Sequence, residues 1–226
     1  MLIAGFPAGS FQANCYVLAP EPGGGALVVD PGEQAVERLE QVLATHQLRP
    51  SAILLTHGHL DHCADAAAFA RQHDIPTYLH PADEHLLDDP LSGLSEQLRQ
   101  ALSGMDLTGL RPPTVLDPDT RLEVAGLTLT VDHTPGHTRG SVVFRLGAQD
   151  ERADVLFTGD TLFAGSIGRT DLPGGNHAEI EHSLTGMLAR YADAAHVLPG
   201  HGPTSTIGQE RRSNPFLTRL QPSAAS

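Results

Sequence analysis

Short apolar stretches separated by glycine- and proline-rich turns set the pattern of this chain. Leu2–Phe6, Asn14–Leu18 and Ala26–Val29 predict three strands, with Gly23-Gly24-Gly25 joining the last two as hairpin chemistry requires. Asp30-Pro31-Gly32 reads as a turn. Val36, Leu39, Val42 and Leu43 then recur at helical spacing, which predicts a helix over 33–47. A strand at 51–55 leads into a histidine-rich loop, followed by an alanine-rich helix from Asp61 to His73 and a short strand, Ile75–Leu79. Strands return at Arg121–Val124, Leu127–Val131, Ser141–Arg145 and Val155–Thr158. Ile180, Leu184, Met187 and Leu188 share one face of a helix predicted over Ala178–Tyr191, and Ala195–Leu198 is the last strand. Grouped strands with helices between them predict two sheets carrying outer helices.

Residues 81–113 depart from this pattern. Pro81, Pro90, Gly93, Gly104, Pro112 and Pro113 interrupt short helical pieces, so the segment reads as an insertion near the mouth of a single domain spanning 1–220. Residues 221–226 are expected to fray. The length of 226 residues suits one domain, and the 40% apolar content suits a soluble one. A net charge of −13 argues against a nucleic-acid partner held on a basic surface, and against anionic membranes. No apolar run approaches the roughly 18 residues of a membrane span. Met1–Phe6 has no basic residue ahead of its apolar start, unlike a signal peptide, so a cytoplasmic protein is expected. Cys15 and Cys63 suggest no disulfide framework, and Cys63 reads as a small packed residue although it adjoins His62.

The chemistry concentrates in Thr56-His57-Gly58-His59-Leu60-Asp61-His62, directly after the apolar run Ala52–Leu55. Imidazole nitrogens and carboxylate oxygens suit zinc, iron or manganese. His57 and His59 are two apart, so in extended backbone they point the same way and grip one ion. Asp61 and His62 are adjacent and need a turn or helix start to address a second point. Three more segments end an apolar strand at a possible ligand: Leu127–Val131 before Asp132-His133-Thr134-Pro135-Gly136-His137, Val155–Thr158 before Gly159-Asp160, and His196–Leu198 before Pro199-Gly200-His201. Residue chemistry leaves His133 and His137 both open. The other histidines read as surface or packing residues.

The ordered set His57-x-His59-x-Asp61-His62, His137, Asp160 and His201 resembles the metallo-β-lactamase-fold hydrolases. Within them the chain is similar to the short bacterial glyoxalase II-like (hydroxyacylglutathione hydrolase-like) branch, through Thr134-Pro135-Gly136-His137-Thr138, Thr158-Gly159-Asp160-Thr161-Leu162-Phe163 and Gly165–Gly175. The resemblance runs from Asn14-Cys15-Tyr16 to just beyond His201. It implies an α/β fold, the four-layer αβ/βα sandwich. It implies two divalent metal ions, zinc first and iron or manganese as alternatives: His57, His59 and His137 on one, Asp61, His62 and His201 on the other, and Asp160 bridging. It also selects His137 over His133.

Two ions sharing one water would supply hydroxide near neutral pH, since a single zinc lowers the pKa of water to about 7. The expected reaction is hydrolysis of a small-molecule acyl thioester such as S-lactoylglutathione, or of an analogous low-molecular-weight thiol, with Asp61 also orienting the nucleophile. A thiolate leaves without a dedicated strong acid. Arg169 and Arg139 are candidate contacts to a substrate carboxylate, although for each a bracing role is favoured, for Arg169 through a pair with Asp171. Persulfide dioxygenase, a mononuclear iron oxidoreductase, and lactonase are the alternatives on the same fold. A nuclease is disfavoured by the acidic balance, and β-lactam hydrolysis by the bridging aspartate.

Overall fold

Residue by residue, β2 (Ala13–Ala19) alternates between two apolar cores: Cys15, Val17 and Ala19 face one, Tyr16 and Leu18 the other. β3 (Gly25–Val29) and β4 (Arg49–Leu54) repeat the alternation, because successive side chains on a strand point to opposite faces. The structure, a computed structural model, describes residues 1–88, 91, 114–115, 120–147 and 153–220. The first sheet has the order β1-β2-β3-β4-β5-β6, with β1 at Leu2–Ala8, β5 at Thr77–Leu79 and β6 at Thr114–Val115. Its first three strands form an antiparallel meander, and β3 to β6 run parallel.

The second sheet has the order β14-β13-β10-β9-β8-β7. Its strands are β7 (Arg121–Val124), β8 (Leu127–His133), β9 (Val142–Leu146), β10 (Val155–Gly159), β13 (His196–Pro199) and β14 (Ser205–Thr206). All its neighbours pair antiparallel except β10 with β13. Leu18, Leu27, Leu54, Leu129, Phe144 and Phe157 fill the space between the sheets. Parallel pairs need a crossover, and helices supply it: α1 (Val36–Thr45) between β3 and β4, α2 (Leu60–Cys63) and α3 (Ala66–His73) between β4 and β5, and α5 (His177–Arg190) between β10 and β13. α1 and α3 cover the first sheet with Leu39, Leu43 and Phe69. α5, α6 (Ile207–Ser213) and α7 (Leu217–Leu220) cover the second with Ile180, Leu184, Met187, Ile207 and Leu217. This is the four-layer αβ/βα sandwich.

The predicted helix over Asp61–His73 is two helices. Asp65 interrupts it because its carboxylate is committed elsewhere: Oδ2 accepts from Ala35 N at 2.8 Å and Val36 N at 3.2 Å at the start of α1. The predicted helix over 33–47 begins only at Val36, since Gln34 is left-handed (φ 58°). Of the segment 81–113, a 3-10 turn at Pro81–Asp83, α4 (Glu84–Asp88) and residue 91 are described; the rest of that reading, and the tail 221–226, lie outside the described residues. No described helix is long and apolar enough to cross a membrane.

The C-terminal ends of β3, β4, β8, β10 and β13 share one edge of the sandwich. Bonds between the sheets close that edge: Val142 N donates to Thr56 O at 2.9 Å, and Asn14 N to Gly200 O at 2.7 Å.

Candidate metal centre

β4 ends at Leu54, and the two residues after it deliver His57 almost fully buried. His59 follows in extended backbone (φ −70°, ψ 146°), so it turns back beside His57, and α2 begins at Leu60 to present Asp61 and His62 together. β8 leads to His137, β10 to Asp160 and β13 to His201. All seven predicted residues converge. His59 Nδ1 lies 2.9 Å from His137 Nε2, and His62 Nε2 lies 3.3 Å from His201 Nε2. Asp61 Oδ2 is 3.2 Å from His201 Nε2. Asp160 stands between the pairs, with Oδ1 3.3 Å from His62 Nε2 and Oδ2 3.5 Å from His137 Nε2 and 3.6 Å from His201 Nε2. Three overlapping sets have donor atoms within 4.8 Å of one another and could each hold an ion: His57, His59 and His137; His57, His62 and Asp160; Asp61, His62 and His201.

The outward nitrogens are prepared by hydrogen bonds behind them. Asp30, buried at the end of β3, accepts from Thr56 N at 2.8 Å through Oδ1. Its Oδ2 accepts from Thr56 Oγ1 at 2.6 Å and from His62 Nδ1 at 3.0 Å. With its proton given to Asp30, Thr56 Oγ1 accepts from His57 Nδ1 at 3.1 Å. His137 Nδ1 donates to Arg169 O at 2.8 Å. The Nε2 atoms of His57 and His137 are therefore left bare toward the cluster, which His62 Nε2 also faces. His57 Nε2 and Asp160 Oδ1 are buried without a hydrogen-bond partner. A buried acceptor with no donor is costly, and a cation at this point satisfies both atoms. The donor set fits a divalent ion.

Electrostatics agrees. Burial, then the neighbouring rings of His62 and His137, push His57 well below the ordinary imidazole range. Burial and His137 bring His59 down to about 4. Burial opposes charge on His62, but Asp160, Asp61 and Asp30 outweigh it and raise this group well above its usual value. Burial likewise works against ionised Asp160, yet the His62 proton, with His137 and His201, holds its carboxyl well below the usual range. Carboxylates share positive charge with His62 here, the role a metal ion takes over on binding.

A description of the Metallo-beta-lactamase superfamily matches residues 8–201 of the chain. The protein belongs to the metallo-β-lactamase superfamily. It is 48% identical to the uncharacterized protein Rv2581c of Mycobacterium tuberculosis, over 97% of this chain and 99% of that one. It is 34% identical to the hydroxyacylglutathione hydrolase GloC of Haemophilus influenzae, over 93% and 95%. Among solved structures, BLEG-1 B3 metallo-beta-lactamase superposes with a TM-score of 0.83 at 40% identity, over 96% of this chain and 100% of that one. TTHA1623 in a di-iron-bound form gives 0.79 at 37%, over 95% and 100%.

For this superfamily member, two further buried acids matter that sequence reasoning passed over. Asp30 read only as part of a turn. Asp83 fell in the stretch read as an insertion; it is fully buried and ties the two histidine loops together. Its Oδ2 accepts from Gly58 N at 3.0 Å and Thr138 Oγ1 at 2.6 Å, and its Oδ1 from Gly140 N at 2.6 Å. The available signal was position: each acid directly follows or closely trails a strand on the ligand edge.

Other predicted residues fall outside the cluster. His133 is exposed, stacks on His80 with ring centroids 4.2 Å apart, and pairs with Arg139 O at 2.9 Å. Cys63 is buried beneath the loop, with Sγ 3.6 Å from Gly58 O. The Arg169 guanidinium grips Asp171 at 2.7 and 2.8 Å, so what this residue gives the site is its backbone carbonyl. The Arg139 side chain is exposed and makes no salt bridge among the described residues.

Proposed function

We propose that this protein is a metal-dependent hydrolase of the glyoxalase II-like branch, cleaving a hydroxyacyl thioester of a low-molecular-weight thiol in the cytoplasm. One observation supports the reading: the seven residues converge in three overlapping donor sets, Asp160 lies within 3.6 Å of His62, His137 and His201, and the buried His57 Nε2 is unpartnered. We assign His57, His59 and His137 to one ion, Asp61, His62 and His201 to the other, and Asp160 to both. Zinc is the first choice, and the di-iron form of TTHA1623 makes iron the second. When bound, such ions supply Lewis acidity and ionise water near neutral pH. Asp61, at the open side of the cluster, orients the nucleophile. Arg139 is the cation available for a substrate carboxylate, whereas Arg169 is engaged by Asp171. The likeness to GloC supports a glutathione-type thioester.

A second reading is β-lactam hydrolysis, supported by the 40% identity to BLEG-1. Thiol release from S-lactoylglutathione separates the two. Metal-stripped protein is compared with protein reloaded with zinc, iron or manganese, and a chromogenic cephalosporin is run in parallel. Thioester cleavage only after reloading is the expected result. Cephalosporin turnover without thiol release would favour the second reading.

A further inference from the structure

Glu210 is a fully buried carboxylate on α6, away from the ligand set. Its Oε2 accepts from Gly165 N at 2.7 Å and from Asn214 Nδ2 at 2.9 Å, and its Oε1 accepts from Ser205 Oγ. Asn214, also fully buried, donates the same amide to Ser166 O at 3.0 Å and to Phe163 O at 3.4 Å. The two side chains thus hold three backbone groups of one hairpin, formed by β11 (Leu162–Phe163) and β12 (Ser166–Ile167). Strands of two residues cannot hold a hairpin in place by themselves. A buried carboxylate costs stability unless donors surround it, and here the donors come from the hairpin and from its own neighbours.

The hairpin links two parts of the metal site. It departs from Asp160 and returns as Gly168 and Arg169, whose carbonyl holds His137 Nδ1. The return is tight: a Cβ on Gly168 would stand 1.8 Å from Asp160 O. Phe163, half-buried, presents its ring edge-on to His201 with centroids 6.0 Å apart. The chain beyond His201 therefore folds back to support the wall of the cluster from behind.

We infer that Glu210 and Asn214 are positioning residues: they clamp the β11–β12 hairpin so that Phe163 stands beside His201 as the apolar wall for the acyl thioester. The substrate half of this statement rests on the proposed function; the clamp does not.

The test uses the full-length, metal-loaded protein. Hydrogen exchange is followed in peptides covering 163–168, and thioester hydrolysis and metal content are measured on the same preparations. Asn214→Ala removes both carbonyl contacts. It should speed hairpin exchange about tenfold or more and lower kcat/KM about tenfold, almost all in KM, with metal content unchanged. Glu210→Gln keeps an acceptor for Gly165 and can donate to Ser205 Oγ, so it should restore both readouts to near the parent values. Phe163→Ala leaves the clamp intact and should raise KM by a similar factor. Combining it with Asn214→Ala should add little further loss, because both act through one side chain.

Unchanged hairpin exchange in Asn214→Ala would overturn the clamp. Additive losses in the double variant would overturn the link to Phe163. So would an unchanged KM in Phe163→Ala, even if Asn214→Ala failed to fold. If the parent protein hydrolyses no thioester, the proposed function fails, and hairpin exchange still decides the clamp.

Discussion

Asp30 receives a hydrogen bond from His62 Nδ1 at 3.0 Å on the same oxygen that holds the Thr56 hydroxyl at 2.6 Å. One carboxylate thereby sets the proton position on two rings, His62 directly and His57 through Thr56. Oriented imidazoles are better ligands, and loss of such a partner commonly costs 10–100-fold in metal affinity. Asp30→Asn replaces one of two acceptor oxygens by an NH₂ group, which must then face either Thr56 N or the Thr56 Oγ1 and His62 Nδ1 pair. Its metal affinity should fall by about 10–100-fold with the fold retained. Chelator competition measures this; parent-like affinity would show that the tautomers are set some other way.

Asp160→Asn tests the joining carboxylate. An amide is a poor ligand and cannot balance positive charge on both sides. Metal retention and turnover should fall together, read by elemental analysis and kinetics on one preparation. If both survive, Asp160 does not bridge.

Gly200 packs directly on the cluster: a Cβ there would stand 2.2 Å from Asp160 Oδ1 and 2.7 Å from the His62 ring. Gly200→Ala should therefore displace ligand atoms and reduce metal content. Gly186→Ala is the control, since that exposed helical position has open space within 4 Å. It should gain up to about 1 kcal/mol from helix propensity and keep its metal.

Asp83→Ala strands two buried backbone N–H groups, of Gly58 and Gly140, while the Thr138 hydroxyl keeps Ser141 Oγ at 2.7 Å. Each unsatisfied donor costs about 1–3 kcal/mol, so a loss of about 2 kcal/mol or more is expected. At roughly 2–4 °C per kcal/mol for a chain of this size, melting should drop by about 4–8 °C or more. A drop below about 2 °C would mean that water replaces the carboxylate at little cost.

Tyr191 donates its hydroxyl to Asp132, which also receives Arg190. Burial, then the bond to Asp132, pushes this hydroxyl well above its usual value. Above about pH 10 the unfolded chain loses the tyrosine proton while the native state keeps it. The unfolded state then binds fewer protons, so stability falls as pH rises. Cys15, Cys63 and Tyr16 are raised by burial and act in the same direction. Tyr191→Phe should cost about 1.5–3 kcal/mol near neutrality, where a bond to a charged group is lost. It should also reduce the steepness of the alkaline decline between about pH 9 and 11. Chemical denaturation across that range checks both; an unchanged slope would remove Tyr191 from the account.

Several elements were out of reach of periodicity. β11, β12 and β14 are two residues long, too short for any repeat to register. The break at Asp65 depends on helix α1, some 30 residues earlier in the chain, which its carboxylate reaches. The alternating strands and the face of α5 were readable because burial on a sheet or helix repeats at a fixed local interval, as Ile180, Leu184, Met187 and Leu188 do.

The sequence by itself determined the strand pattern and, through the order of its histidines and aspartates, the superfamily; it marked the seven candidate donors, His137 among them only through the family resemblance. Those properties are local: strand alternation has period two, and a candidate ligand is marked by its residue type near the end of an apolar run. The tertiary structure decided that Asp30 serves His62 across 32 residues, that Asp83 joins loops 25 and 57 residues away, and that Arg169 gives the site a carbonyl rather than its charge. A hydrogen-bond partner is chosen by where two backbones pass in space, and no local repeat in the chain records that path.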